Sequence, residues 1–476
     1  MVRAAVCGTE GRQFESVPVY QKMAKDKKIK PSKETPAGFV DRKEKELLIR
    51  DFVISNIKEI MINYGFQYLE TPSFEYSDSI GKFLPDKERP DEGVFSFKDE
   101  NKWLSLRYDL TAPLARYVAK NYNELSKPFK RYQLGTVWRN EKPGPGRYRE
   151  FLQFDADYIG TKNLMADAEL CVLVSEILEK CGLTKKDYTI KFSSRKLTDE
   201  IFNKIKINSS EKRLKILRSL DKLDRLGWSE VEKLLAKGRK DKSGDFTKGA
   251  ELTTSEIEII KNFFENKDIN TKINSQNSES DKEIVQFSKN LEAFEFNNFI
   301  YDPSIIRGLE YYTGPIFEVN LNFDVKNSKG QVVQFGSIGG GGRYDNLVSN
   351  FGNVDSPATG ISIGIDRLVF ALMQKNDFDL KPTRPVVICV FEGVEIKEYI
   401  KLLKILRLEN ISSEIYPGEG KLKKQMEYAN KIESPCVIFY GDDEIKKAEV
   451  KLKNLKTGDE SSVKVESLIN EIKKLI

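Results

Sequence analysis

Five short β-like runs, at 66–70, 93–98, 102–107, 130–138 and 150–159, follow one another at close spacing with few helical patterns between them. Neighbouring parallel strands need long, mostly helical crossovers, so this spacing predicts an antiparallel sheet and not a βαβ array. Ahead of the runs, Leu47, Ile49, Phe52, Val53, Ile57, Ile60 and Met61 recur near helical spacing, with Gly65 just beyond. That predicts an amphipathic helix over 43–63. Strand-like patterns return over 299–369. An α+β core flanked by helices is expected, and 476 residues exceed one ordinary core, so two or three domains are expected.

The stretch 191–295 differs. It is Lys-rich, and helices are expected at 211–226, 229–237 and 255–265, with capping boxes at Ser229/Glu232 and Thr253/Glu256. Polar breaks at 240–249 and 274–281 read as loops. Eleven basic and six acidic residues lie between Glu211 and Lys242, an excess that fits either a solvated face or a nucleic-acid contact. After Pro382-Thr383-Arg384-Pro385, strand-like runs at 386–391, 412–416 and 436–440 alternate with helices near 396–408 and 421–431. This alternation predicts a small α/β domain with a mostly parallel sheet, its third strand ending in the polar turn Gly441-Asp442-Asp443-Glu444.

Composition narrows the chemistry. The chain has no histidine, which excludes a Ser-His-Asp triad, imidazole metal ligands and an imidazole base. Its five cysteines, Cys7, Cys171, Cys181, Cys389 and Cys436, form no C-x-x-C pair, which fits a reducing cytoplasm without a disulfide framework or zinc site. No apolar run approaches the roughly 20 residues of a membrane span. A net charge of +5 points only faintly to nucleic acid.

Three stretches carry chemistry. Strand-like runs either side of Lys142-Pro143-Gly144-Pro145 form a hairpin that projects Arg139 and Arg147, whose planar donors suit phosphate oxygens. Glu141 can orient one guanidinium or accept from an adenine amino group, and Phe151 can stack on adenine. Gly360 to Leu368 is a small-residue strand running into a helix whose first turn holds Arg367, a place for a phosphate tail. Arg307-Gly308-Leu309-Glu310-Tyr311-Tyr312 sets a cation, a carboxylate and two tyrosines before a strand, enough to enclose a flat polar ligand. Surface ion pairs would account for the hairpin alone, a common Gly-x-x-x-Gly before a helix for the second stretch, and core tyrosines for the third. The glycine run 339–342 ahead of Arg343-Tyr344-Asp345 alone reads as a tight turn.

Together they resemble class II aminoacyl-tRNA synthetases. The hairpin and the 360–368 stretch look like the ATP-binding motifs 2 and 3, and Tyr64-Gly65 through Thr71-Pro72 resembles motif 1, which builds the dimer interface. The Arg307 stretch resembles the signature of histidyl-tRNA synthetases, with Glu310 replacing an aspartate. The resemblance implies that Asp109, Leu110 and Thr111 belong to the amino-acid loop, the acid and threonine holding the α-ammonium. It implies that Gln153 binds the ammonium, Asp157 the imidazole, and that Tyr311, Tyr312 and Tyr344 wall the pocket. Arg307 would stabilise the activating carboxylate and α-phosphate, with Arg139 and Arg367 as the other catalytic cations. ATP would contact Arg139, Glu141, Arg147, Phe151 and Arg367. The implied reaction is ATP-dependent ligation of L-histidine to tRNA(His) through a histidyl-adenylate, aided by Mg²⁺ with no protein metal site, in a cytoplasmic homodimer.

The resemblance divides the chain into an N-terminal extension (1–29), a catalytic core (30–190 and 296–380), a helical insertion that clamps the acceptor arm (191–295) and an anticodon-binding domain (384–476). Two departures stand out. Asp109 and Asp157 are shorter than the glutamates of typical bacterial members, and the loop 142–145 lacks the glutamine that such members offer to the acceptor end, so the usual extra-guanosine rule is not assumed. A histidine-sensing regulatory paralogue, a synthetase for another amino acid and a bare tRNA-binding module are the rival readings. The retained Arg139, Arg147, Arg307 and Arg367, the pocket and the tail argue against each. Met23 opens a more natural start than Met1, so a chain truncated to begin at Met23 is expected to keep full activity; its loss in an aminoacylation assay would contradict this.

Overall fold

The computed structural model describes residues 32–81, 93–240, 244, 246–265, 267–271, 278–306, 311–327, 329–333, 335–352, 354–375 and 380–476. The chain divides into two compact units. The first comprises Met1–Lys43 and Arg50–Asn376; the second comprises Glu44–Ile49 and Asp377–Ile476.

An eight-stranded sheet organises the first unit, in the spatial order 67–68, 129–138, 150–159, 358–364, 337–343, 315–321, 188–194, 299–301. The six central strands pair antiparallel throughout, while the two short edge strands pair parallel to their neighbours. The expected antiparallel core is therefore present. Helices Thr111–Asn121 and Met165–Lys180 interrupt the strand series that the sequence shows as nearly helix-free. The second of these buries Leu170, Cys171, Val174, Ile177 and Leu178 completely, and it packs with the helix Glu279–Ala293 against the sheet. A separate three-stranded sheet joins Phe74–Tyr76, Lys102–Leu106 and Ser96–Asp99.

The run Gly339–Gly342 is not a turn. It lies within the strand Ser337–Arg343, between the strands Pro315–Leu321 and Ala358–Gly364. At Gly341 a Cβ would overlap the Gly360 carbonyl oxygen and come within 2.7 Å of Ile361 Cα, so the close approach of these strands requires glycine there.

The helical stretch has its own apolar core, which includes Phe202, Ile216, Leu220, Val231, Leu235 and Phe264. Its details correct the sequence reading. The expected 211–226 helix breaks at Asp221–Lys222 into Ser210–Leu220 and Leu223–Leu226. The helix expected from Ser229 begins at Trp228 behind Gly227, whose φ of 74° favours glycine, so the Ser229/Glu232 box does not form. The Thr253/Glu256 box does form: Thr253 N donates to Glu256 Oε2 at 2.7 Å, and Glu256 N donates to Thr253 Oγ1 at 3.3 Å. The 240–249 break contains a small hairpin, Gly238–Lys240 with Phe246–Lys248. Of the other break, 274–277 lie outside the described residues, and Ser278 caps the helix Glu279–Ala293.

In the second unit, Ser413–Ile415, Val386–Cys389 and Cys436–Phe439 form the expected parallel strands. The sheet then continues antiparallel through Glu449–Asn454 and Glu460–Lys464, so it is mixed. Both added strands are Lys- and Glu-rich, which masked their alternation. The polar 441–444 segment opens the short helix Asp442–Lys447.

Gly341→Ala should lower unfolding free energy by about 2 kcal/mol or more, because the facing backbone at Gly360 and Ile361 cannot retreat. Urea denaturation checks this, and an unchanged midpoint would contradict it.

Candidate active site

Alternation along Glu150–Ile159 sets Gln153, Asp155 and Asp157 on one face of the sheet. Across the neighbouring strands Asp157 faces Arg131 and Gly360, and Asp155 faces Gln133 and Ser362. Arg131 is wholly buried; it donates to Asp157 Oδ2 at 3.1 Å and also to Gln133 Oε1. The Tyr344 hydroxyl donates to the other Asp157 oxygen at 2.5 Å. A Cβ on Gly360 would overlap Asp157 Oδ1, so the small residue makes room for the acid. Gln153 Nε2 donates to Asp155 Oδ1 at 2.8 Å, and Thr111 Oγ1 to Asp155 Oδ2 at 3.3 Å. Asp109 accepts from Ala112 N at 3.0 Å, just ahead of the helix Thr111–Asn121, with the fully buried Leu110 between. Tyr311 packs edge-on to Tyr344 at 5.7 Å between centroids and against Tyr312 at 4.8 Å.

Beside this polar floor lies a cavity of about 490 Å³, within the range of ligand pockets. Arg139, Glu141, Arg147, Phe151, Gln153, Glu318, Ser362 and Arg367 line it. Arg139 lies over the rings of Tyr108 and Phe151, at 4.5 and 5.2 Å from their centroids, and reaches Gln153 Oε1 at 3.4 Å. Gln153 therefore joins the cavity to the polar floor. Glu141 accepts from the Tyr108 hydroxyl at 2.7 Å and from Arg147 at 2.6 Å, so it orients one guanidinium as the sequence allowed. Arg367 donates to the Phe335 carbonyl and lies 4.6 Å from that ring's centroid. Asp366 anchors the helix start by accepting from Arg42 at 2.9 Å and from Leu152 N at 2.5 Å.

The electrostatics divide in the same way. Burial, then Arg147 and Arg139, pull the Arg367 guanidinium down to about 10, the signature of cations gathered without enough anion. Burial pulls Arg139 down, but Tyr108, Glu141 and Asp109 outweigh it and raise it. On the floor, burial and then Asp157 push the Asp155 carboxyl up to about 7 against the pull of Arg131. Asp109 and Asp157 are likewise raised by burial. Arginines thus gather in one region and buried acids in the adjacent one.

The structure brings together Asp109, Leu110, Thr111, Gln153, Asp157, Tyr311, Tyr312 and Tyr344, and next to them Arg139, Glu141, Arg147, Phe151 and Arg367. Arg307 lies outside the described residues. Sequence reading passed over Asp155, although its period-two spacing with Gln153 and Asp157 marks it. Arg131 was legible only through strand register, and Phe335 had no signal.

Because Asp155 titrates higher in the folded protein than in the unfolded chain, the folded state holds a proton that the unfolded chain has released. Its stabilising contribution is complete below the ordinary value of 3.8 and is lost as pH rises towards 7. Ligand-free protein should therefore lose about 1–3 kcal/mol between pH 5 and pH 8, and Asp155→Asn should flatten that slope. Urea melts across this range would contradict it if variant and wild-type profiles overlay.

Residues 38–368 match the family model described as histidyl-tRNA synthetase, and residues 385–475 match the one described as anticodon binding domain. The histidine–tRNA ligase of Brucella suis biovar 1 (strain 1330) is 45% identical over 460 residues, spanning 93% of this chain and 92% of its own. That of Bartonella quintana (strain Toulouse) is 45% identical over 451 residues, 91% of each chain. The crystal structure of histidyl-tRNA synthetase from Nostoc sp. PCC 7120 aligns with a TM-score of 0.70 and 26% identity, over 94% of this chain and 100% of its own. An apo S. aureus histidyl-tRNA synthetase, at 22% identity and a TM-score of 0.61, shares the fold. With a single family model spanning most of its length and relatives this similar along nearly all of it, the chain belongs to the histidyl-tRNA synthetase family.

Proposed function

We propose that this protein activates L-histidine with ATP and transfers it to tRNA(His), using the arginine-lined cavity for ATP and the acid-bearing floor for the amino acid. The carrying observation is the contact of Arg139 with Gln153, which sets a phosphate-seeking guanidinium beside the acids that would hold the α-ammonium. A histidine so held has its carboxylate aimed at the α-phosphorus. One carboxylate oxygen bonds to that phosphorus, the bond to the β-phosphate oxygen breaks, and diphosphate leaves with the electron pair. Arg139, Arg367 and the undescribed Arg307 offset the charge that accumulates in a largely dry site. No protein base is needed, because the carboxylate is already the nucleophile.

In the second step a ribose hydroxyl of the tRNA attacks the carbonyl carbon and AMP leaves. With no histidine in the chain, a non-bridging oxygen of the adenylate phosphate accepts the hydroxyl proton. Asp157, steered by Arg131 and Tyr344, would read the imidazole. Ligands lacking that hydrogen bond leave buried polar groups unpaired and are rejected. Among the described residues no group of three or more acid, cysteine or histidine side chains is placed to hold a metal. Mg²⁺ fits as a passenger on the ATP phosphates, with Glu318 facing the cavity, and would neutralise the leaving diphosphate.

The helical stretch 191–295 is proposed to contact the tRNA acceptor arm, and the second unit the anticodon. No helix among the described residues is long and apolar enough to cross a membrane, and a cytoplasmic site of action is proposed. A homodimer is proposed on the motif 1 resemblance and on the exposed Phe74, Tyr76, Phe97 and Trp103 of the adjoining small sheet.

Histidine-dependent exchange of labelled diphosphate into ATP tests the first step. Exchange with histidine alone among the amino acids is expected, with about 100–1000-fold loss in Arg139→Ala. Histidine binding without exchange, or exchange with another amino acid, would overturn the reading.

A further inference from the structure

The cavity has a wall that the motifs do not predict. Besides the hairpin and the helix start, it is lined by Arg218, Asp221 and Lys222 of the helical stretch. Arg218 stands in the last turn of the helix Ser210–Leu220, which packs its other side, Ile216, Leu217 and Leu220, into the local core. A cation near a helix C-terminus is favourable in itself, which accounts for charge but not for direction. Two Arg218 nitrogens, Nε and Nη2, are shielded from solvent and have no hydrogen-bond partner among the described residues. Shielded guanidinium donors left unpaired are costly, and such a site is expected to be completed by a ligand. Arg139, Arg147 and Arg367 already make this the place where anionic charge is wanted.

We propose that Arg218 is a further ATP-binding residue, donating its planar fork to the phosphate chain and joining the helical stretch to the activation step. This deepens the adenylation reading and rests on it. A phosphate offers the paired oxygens that a guanidinium fork matches and adenine does not; the histidine carboxylate offers them too, so the separate KM values for ATP and histidine decide between the two. The shielding of these two donors of the half-buried Arg218 favours a small ligand over a tRNA backbone. Binding of ATP would then order the acceptor-arm domain against the core before tRNA arrives, so that the two halves of the reaction are coupled through one side chain.

The test compares wild-type protein with Arg218→Met and Arg218→Gln. Wild-type exchange with histidine is measured first; if it is absent, the adenylation reading itself fails. If it is present, the variants should raise the KM for ATP about tenfold while the KM for histidine and the affinity for AMP stay within twofold. A purely structural role would move all three together and lower the melting temperature. Should a variant not fold, hydrogen exchange on the wild type decides: amides of 210–220 should gain protection with a non-hydrolysable ATP analogue and not with AMP. An ATP KM within twofold of wild type, loss confined to the KM for tRNA, or no ATP-specific protection of 210–220 would overturn the proposal.

Discussion

A guanidinium buried to zero exposure in the middle of a β-sheet fixes much of this site. Arg131 cannot stand there alone, since a buried charge needs a counter-charge and hydrogen-bond acceptors. Asp157 supplies the counter-charge and Gln133 a neutral acceptor, both through strand register and not sequence proximity. Tyr344 then claims the remaining Asp157 oxygen, and Gly360 leaves the volume the carboxylate occupies. Three strands, with Tyr344 just past the end of a fourth, therefore converge on one acid, and the glycines of that fourth strand let its neighbour approach. Folding the sheet therefore also builds the candidate amino-acid pocket.

The proposed amino-acid pocket would gain selectivity from these fixed partners. Three acids, Asp109, Asp155 and Asp157, lie within one buried region beside Arg131, and burial raises all three. A zwitterionic amino acid brings an ammonium to it and presents a carboxylate to the arginines next door. The same substrate suits both regions. This gives a physical reason for placing acids and arginines on opposite sides of Gln153, and it lets adenylation proceed without any imidazole in the chain.

Much of this was legible in the sequence because short, turn-bounded β patterns and paired arginines depend on local spacing. The hairpin with Arg139 and Arg147, the strand running into Arg367, and the α/β alternation after Pro385 all emerged with boundaries close to those observed. What stayed hidden depends on contacts distant in sequence. Arg131 reads as one more basic residue until register sets it opposite Asp157. Asp155 lies between Gln153 and Asp157, yet burial alone shows it to be part of the floor. The helices 111–121 and 165–180 were missed because a strand-dominated reading absorbed their apolar residues. The 449–454 and 460–464 strands were missed because lysine and glutamate dominate them. Arg218 carries no local signal at all; only packing of the helical stretch brings it to the cavity.

The central claim is that Arg131 acts on histidine recognition through Asp157. A double-mutant cycle of Arg131→Met and Asp157→Asn, read as kcat/KM for histidine in diphosphate exchange, tests it most directly. The account predicts that the double variant is no worse than Asp157→Asn alone to within about threefold, a coupling of about 1–3 kcal/mol. Losses that multiply, as for independent sites, would contradict it.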